Sequence, residues 1–263
     1  MTGDFLVAEK IDVAISGRPV LSRVSLAISA GESVALIGES GSGKSMFART
    51  VLGLLPRGAV ATGSLRFEGN ELLGAGDRSY RALRGLRIGY VPQDPAAAFN
   101  PTLRVADQIG ETIAFHRERA ATVGAASPVE MMRRVGLTEP ELRARQYPHE
   151  MSGGMLQRAL IASAVSLGPG LLIADEPTTG LDVTTQAGIM DLLRSLQARS
   201  DMALLLISHD LALVSTMCHR IVVLYRGEIV ETGETRQVVG SPRHAYTRAL
   251  LAATPTLRRV ATA

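Results

Sequence analysis

The segment from Gly38 to Ser45 has the residue types and the spacing needed to hold a chain of phosphates. It reads GESGSGKS and matches the pattern G-x-x-x-x-G-K-[ST] at every fixed position. Its glycines let backbone N–H groups turn inward around an anion, and a following helix adds partial positive charge. We expect Lys44 to reach the β- and γ-phosphates of a nucleotide, and Ser45 to ligate Mg²⁺. The candidate nucleotide contacts here are Gly38, Glu39, Ser40, Gly41, Ser42, Gly43, Lys44, Ser45 and Met46.

The identity of Lys44 supports this interpretation. Of the 28 basic residues only Lys10 and Lys44 are lysines, and the other 26 are arginines. A compact ammonium group fits a phosphate cradle that a planar guanidinium does not. The alternative is a Gly/Ser turn with a chance lysine. It is disfavoured because the apolar run 33–37 predicts a strand before the segment and residues 46–52 predict a helix after it.

Two later apolar strands end in residues that could complete hydrolytic chemistry. The first, Leu171–Ala174, is followed by Asp175, a predicted Mg²⁺ ligand, and Glu176, which could polarise water for in-line attack on a γ-phosphate. The second, Met202–Ile207, is followed closely by His209, at the sheet end where open α/β folds bind ligands. A structural hydrogen bond is the alternative role for His209.

Composition limits the remaining possibilities. With 46% apolar and 20% charged residues, the 263-residue chain is predicted to be a soluble globular protein. Its longest apolar run, Met202–Ile207, is far shorter than the roughly 20 residues of a membrane span. The single cysteine, Cys218, excludes a disulfide scaffold, and Asp4 lies where a secretory peptide has basic residues. We therefore expect a cytoplasmic protein, and the net charge of +3 is too small to indicate nucleic acid.

Six motifs in one fixed order resemble the ATP-binding cassette of ABC transporters. They are GESGSGKS, Gln93 within YVPQDP, MSGGMLQR at 151–158, LLIADEP at 171–177, GLD at 180–182 and SHD at 208–210. The resemblance covers nearly the whole chain. It implies an α/β fold: a P-loop NTPase cassette with a RecA-like core, an antiparallel N-terminal sheet from Phe5 to Ile28 and an inserted helical subdomain.

The same resemblance implies the domain organisation. The nucleotide-binding core with the antiparallel sheet is expected at 1–94 and 157–235, and the helical subdomain, ending in the signature loop (MSGGMLQR), at 95–156. A short C-terminal extension would occupy 236–263. Helices are predicted at Thr102–Arg119, Val129–Val135 and Leu156–Leu167.

Further roles follow only from the resemblance. Gln93 would touch Mg²⁺ or the attacking water, and His209 would contact the γ-phosphate. Together with Glu176, these two residues would form the catalytic group. The signature residues Ser152, Gly153, Gly154 and Met155 would face an ATP held by the opposite subunit, and Asp182 would cross that dimer interface. By itself, SGG would be an ordinary helix-capping turn.

Longer matches resemble importers of dipeptides, oligopeptides and nickel: YPHEMSGGMLQR, QDPAAAFNP and DEPTTGLDVTTQA. Met155 and the following LQR resemble the D-type ATPase subunit, and SPRHAYTRALLAATP resembles its C-terminal extension. The sequence lacks the cysteine-rich segment of longer peptide-system subunits, which favours the nickel or metal-chelate branch. The implied partners are a second ATPase subunit forming a heterodimer, two membrane permease subunits and an extracytoplasmic substrate-binding protein. The chain would lie peripherally at the cytoplasmic face of the inner membrane.

Two departures from the family pattern carry expectations. Ile15 or Ser16 stands where most cassettes have an aromatic residue that stacks on adenine, so base selectivity is predicted to be weak. Met155 replaces the usual signature glutamine. Neither departure removes a phosphate or metal contact.

Two other classes of ATP-binding protein are alternatives. A DNA-repair or chromosome ATPase of the ABC type needs a long heptad arm, but the segment 95–150 is short and contains five prolines: Pro95, Pro101, Pro128, Pro140 and Pro148. A regulatory module that binds ATP without hydrolysis is disfavoured by the presence of Glu176 and His209, but it stays open.

Overall fold

The computed structural model describes residues 4–253, which divide into two compact units, 4–82 with 203–253 and 83–202. The strands are β1 (Asp4–Ile15), β2 (Arg18–Ser29), β3 (Ser33–Ile37), β4 (Ala59–Phe67), β5 (Asn70–Glu71), β6 (Ile88–Val91), β7 (Leu171–Asp175), β8 (Ala203–Ser208), β9 (Arg220–Tyr225) and β10 (Glu228–Glu234). The helices are α1 (Lys44–Val51), α2 (Asp77–Leu83), α3 (Pro95–Ala98), α4 (Val105–Phe115), α5 (Arg117–Val123), α6 (Pro128–Arg134), α7 (Pro140–Arg143), α8 (Gly153–Val165), α9 (Val183–Arg199), α10 (Leu211–Ser215), α11 (Thr235–Gly240) and α12 (Ala245–Ala252). A 3₁₀ turn covers Pro148–Glu150.

In the first unit, an antiparallel sheet has the strand order β2-β1-β4-β5. Alternate residues of β1 and β2 are buried, as expected for strands with one face on a core. The ring of Phe5 packs edge-on against that of Phe67 at 4.8 Å between centroids. The predicted antiparallel N-terminal sheet is confirmed, and β4 and β5 extend it.

The same unit contains the strands that carry the phosphate loop, Gly38–Ser45. Here β3 lies between β8 and β9 and is parallel to both, and β10 pairs with β9 in the antiparallel sense. All five residues of β3 are buried, which explains its continuous apolar sequence. The predicted strand, glycine loop and helix follow one another as β3, the phosphate loop and α1.

In the second unit, β6 and β7 form a parallel pair, and α8 packs against β6. The helices α3, α4 and α6 also pack against α8. Their apolar faces bury Ile109, Met131 and Met132. Because parallel strands bring their carboxyl ends to one edge, the residues after β6 and β7 lie near each other.

The predicted helix Thr102–Arg119 is wrong in its bounds. Asn100 Oδ1 accepts hydrogen bonds from the backbone N–H and the hydroxyl of Thr102, so a turn delays the start of α4 until Val105. At the other end, His116 leaves helical geometry and its ring Nε2 lies 2.9 Å from the carbonyl oxygen of Arg84. The helix is therefore divided into α4 and α5.

No helix within residues 4–253 is both long and apolar enough to span a bilayer. The proposed C-terminal extension includes α12, and its residues 254–263 lie outside the described part of the chain. Cys218 is buried, and that burial raises the pKa of its thiol to about 12.

Candidate nucleotide site

Two glycines determine the backbone path of the phosphate loop. A Cβ atom at Gly38 would lie 2.1 Å from the carbonyl oxygen of Leu224, on β9. Gly43 caps α1 with a φ of 106°, and a Cβ atom there would lie 2.6 Å from Leu21 Cδ2, on β2. A side chain at either position would displace the loop from the strands beneath it.

Lys44 is folded back over this loop. Its Nζ donates hydrogen bonds to the carbonyl oxygens of Gly38 at 2.9 Å and of Glu39 at 3.0 Å. Its side chain is buried, so the ammonium group is held against the loop rather than in solvent. Phosphate oxygens would compete with these carbonyls for the same donors.

Ser42 gives a second sign of an anion site. Its hydroxyl is buried and has no hydrogen-bond partner among the described residues. A buried hydroxyl without a partner is costly, and a phosphate oxygen could accept its hydrogen bond. Ser45 and Met46, in the first turn of α1, are half-buried, and Ser40 and Gly41 are exposed at the surface of the loop.

In the second unit, the two predicted carboxylates lie at the end of β7. Asp175 is its last residue and is 3% exposed. The hydroxyl of Tyr90, on β6, donates to Asp175 Oδ2 at 3.5 Å. A carboxylate buried to this degree needs hydrogen-bond donors or a cation around it.

Glu176 adopts the left-handed backbone conformation, with a φ of 48°. Its Oε2 accepts hydrogen bonds from Gln93 Nε2 at 3.1 Å and from the Thr179 hydroxyl at 2.9 Å. The structure therefore brings together Glu176 and Gln93, which are 83 positions apart in the sequence. Thr179 was missed by the sequence reasoning, although it lies within the quoted DEPTTGLD segment.

The signature loop begins α8. The Ser152 hydroxyl accepts a hydrogen bond from the N–H of Met155 at 3.3 Å, which is a helix N-cap. A Cβ atom at Gly154 would lie 2.6 Å from Thr185 Cγ2, so this glycine allows α8 to approach α9 closely. Gly153 is exposed.

Asp182 caps the neighbouring helix α9. Its carboxylate accepts from the Thr185 N–H at 2.9 Å and from the Thr185 hydroxyl at 2.7 Å, and these bonds hold the pKa of Asp182 below its usual value. Thr185 thus links the signature loop to Asp182, a role that the sequence did not reveal. A pocket of about 310 Å³ is lined by Gly136, Leu137, Thr138, Ser152, Gly154, Met155, Arg158, Thr184 and Thr185.

His209 follows β8 in the first unit, and its side chain is exposed. The next residue, Asp210, caps α10 by accepting hydrogen bonds from the N–H groups of Ala212 and Leu213. The cap fixes the backbone next to His209 at the carboxyl end of β8.

The sequence profile of the ABC transporter family matches residues 21–179, which include the phosphate loop, the signature loop and Glu176. The chain belongs to the ABC transporter family. As an ABC cassette it binds and hydrolyses ATP.

Curated relatives of this ABC cassette include two peptide-system proteins. The chain is 43% identical over 236 residues to the oligopeptide transport ATP-binding protein OppD of Bacillus subtilis, covering 89% of this chain and 66% of OppD. It is also 43% identical over 236 residues to the dipeptide transport ATP-binding protein DppD of Escherichia coli, covering 89% of this chain and 72% of DppD.

Among solved structures, the cassette resembles the dimeric post-hydrolysis state of MJ0796 bound to ADP and Pi. The TM-score is 0.74 at 25% identity, over 88% of this chain and 99% of that one. The predicted α/β cassette fold is confirmed by this likeness.

Proposed function

We propose that this chain is an ATPase subunit of a peptide importer and acts at the cytoplasmic face of the membrane. The observation that carries the proposal is the 43% identity, over 89% of this chain, to relatives named for oligopeptide and dipeptide transport. The nickel or metal-chelate cargo predicted from the sequence has less support, because neither relative's name refers to nickel. The proposed partners are a second ATPase subunit, two permease subunits and an extracytoplasmic substrate-binding protein.

In this proposal the phosphate loop holds ATP and oxygen ligands hold Mg²⁺. The loop N–H groups and Lys44 bind the β- and γ-phosphates. The Mg²⁺ ligands proposed from the family resemblance are the Ser45 hydroxyl, the Asp175 carboxylate and the Gln93 amide oxygen, which are oxygen donors of the kind that Mg²⁺ prefers. When bound, the ion neutralises charge that develops on the phosphates during hydrolysis.

Glu176 is the proposed general base. Two side-chain donors, Gln93 and Thr179, orient its carboxylate. Such orientation is needed because a general base must lie within hydrogen-bonding reach of the one water from which it takes a proton. His209 is the proposed contact to the γ-phosphate.

The signature loop is proposed to serve the second ATPase subunit. Ser152, Gly153, Gly154 and Met155 would contact the γ-phosphate of the partner's ATP, using N–H groups at the start of α8. Asp182 would contribute to the same dimer interface.

The cargo is tested in proteoliposomes that contain the whole importer, with ATP enclosed on the side of this chain. We expect the ATPase rate to rise with a substrate-binding protein loaded with a di- or oligopeptide, and labelled peptide to accumulate. Loading with a nickel chelate serves as the comparison. Stimulation by the nickel chelate alone would contradict a peptide cargo.

The purified chain alone is expected to be a poor ATPase. One subunit supplies the phosphate loop but not the opposing signature, so the γ-phosphate lacks part of its electrostatic stabilisation in the transition state. Pairing with a second ATPase whose signature retains glutamine should restore the site built on Lys44. ATPase rate and oligomeric mass, measured with and without the partners, check this. Stable ATP-dependent homodimers with full activity would contradict the heterodimer.

A further inference from the structure

We infer that Tyr246, in the C-terminal helix α12, is a positioning residue for the phosphate loop. Its hydroxyl oxygen accepts a hydrogen bond from the peptide unit between Gly38 and Glu39, and the carbonyl oxygen of that unit accepts a hydrogen bond from Lys44. The inference rests on ATP binding by the loop and is independent of the cargo. It assigns a role in nucleotide binding to a segment that lies outside the six motifs quoted above for the cassette.

The central observation is a single peptide group with a partner at each end. The peptide between Gly38 and Glu39 offers its carbonyl oxygen to Lys44 Nζ at 2.9 Å. Its N–H, on Glu39, donates to the hydroxyl oxygen of Tyr246 at 2.8 Å. Hydrogen bonds in such a chain polarise one another, so the bond that Glu39 N–H donates to Tyr246 strengthens the Gly38 carbonyl as an acceptor for the ammonium group.

This peptide has little freedom on its other side. The carbonyl of Leu224 packs so closely that a Cβ atom at Gly38 would lie 2.1 Å from its oxygen. Without the Tyr246 hydroxyl, water would become the acceptor for the exposed Glu39 N–H, and the peptide would lose the fixed partner that sets its orientation toward Lys44.

Tyr246 is itself held from several directions. Its ring lies 4.2 Å from the ring of Tyr225, centroid to centroid, with planes tilted by 30°. Glu231, on β10, accepts hydrogen bonds from the N–H groups of Arg243 at 2.8 Å and His244 at 2.9 Å, which anchors the chain entering α12. His244 Nδ1 then accepts from the Tyr246 N–H at 3.2 Å. The hydroxyl is therefore presented by a fixed element.

The protonation state of Tyr246 suits this role. Burial raises the pKa of its hydroxyl above the usual value, so the group stays neutral at physiological pH. A neutral hydroxyl accepts the Glu39 hydrogen bond without placing negative charge beside bound phosphates.

The test compares Tyr246→Phe with Tyr225→Phe, each of which removes one hydroxyl and keeps the ring. For Tyr246→Phe we expect the dissociation constants of ATP and ADP to rise about three- to tenfold, the effect of one lost hydrogen bond. In the assembled importer the KM for ATP should rise by the same factor, with kcat changed less than about twofold, because the loss is one of uniform binding. Tyr225→Phe should change each value less than about twofold.

Thermal unfolding without nucleotide separates positioning from stability. The inference requires that the Tyr246→Phe variant binds nucleotide more weakly than the parent protein. It also requires that this variant folds, with a melting temperature near that of the parent. Unchanged ATP affinity would overturn it, as would an equal loss in Tyr225→Phe.

If Tyr246→Phe does not fold, Glu231→Ala replaces it, since that change loosens the start of α12 and keeps the hydroxyl. ATP affinity should again fall, and an unchanged value would overturn the inference. Absence of peptide transport by the parent importer, with ATP affinity lowered in Tyr246→Phe as expected, would instead count against the proposed importer function and leave the inference standing.

Discussion

Replacing Lys44 with alanine should abolish detectable nucleotide binding. Lys44 is the only lysine in the loop, and its ammonium group donates hydrogen bonds to two backbone carbonyl oxygens. When nucleotide binds, phosphate oxygens would take the place of these carbonyl oxygens as acceptors. Each charge-assisted hydrogen bond contributes about 1.5–3 kcal/mol. Losing two would weaken ATP binding at least about a hundredfold. Titration with a fluorescent ATP analogue measures this directly.

Lys10 provides the matched control for this substitution. It is the other lysine of the chain, is exposed on β1, and lies outside the phosphate loop. Lys10→Ala removes the same charge and should leave the ATP dissociation constant within about twofold. Tight ATP binding by Lys44→Ala would show that backbone N–H groups alone hold the phosphates.

Replacing Glu176 with glutamine should separate binding from turnover. The amide keeps the shape of the side chain and can still accept hydrogen bonds from Gln93 and Thr179, but it cannot take a proton from water. General bases contribute about 10²- to 10⁴-fold to rate. We therefore expect kcat of the assembled ATPase to fall at least about a hundredfold, with the ATP dissociation constant changed less than about threefold. Phosphate release and nucleotide titration measure the two quantities.

The control for the loss of a carboxylate is Asp191→Asn. Asp191 is exposed on α9, and its Oδ1 lies 2.6 Å from Arg194 Nη1 in a surface ion pair that contributes little to stability. Its turnover should match that of the parent protein. Normal turnover by Glu176→Gln would remove Glu176 from the role of general base.

The parts of the site that the sequence predicted are those set by local spacing. In the phosphate loop, the glycines, Lys44 and Ser45 lie within eight residues, and the strand before them and the helix after them have clear periodicity. The apolar run 171–174 also predicted the strand β7, which ends one residue later at Asp175. The proximity of Gln93 to Glu176 comes from the pairing of β6 with β7, and in the sequence only the family resemblance implied related roles for these two residues.

The contacts that escaped prediction join residues far apart in the chain. Tyr246 and Glu39 are 207 positions apart, and no local pattern indicates that an aromatic residue near the C-terminus touches the phosphate loop. The same applies to His116, whose ring reaches the Arg84 carbonyl where the predicted single helix divides. Such contacts depend on how whole elements pack, which periodicity does not specify.

Because the backbone of Glu176 is left-handed, stability and the proposed role of this residue in turnover make opposite demands on it. A residue with a Cβ atom costs roughly 1–2 kcal/mol in that conformation, and glycine would adopt it without strain. Selection for folding alone would therefore favour glycine at position 176, whereas the proposed proton transfer requires a carboxylate there. With Glu176 as the proposed base, the turn after β7 is less stable than a glycine would make it, and a search for stabilising substitutions would select inactive variants at this position.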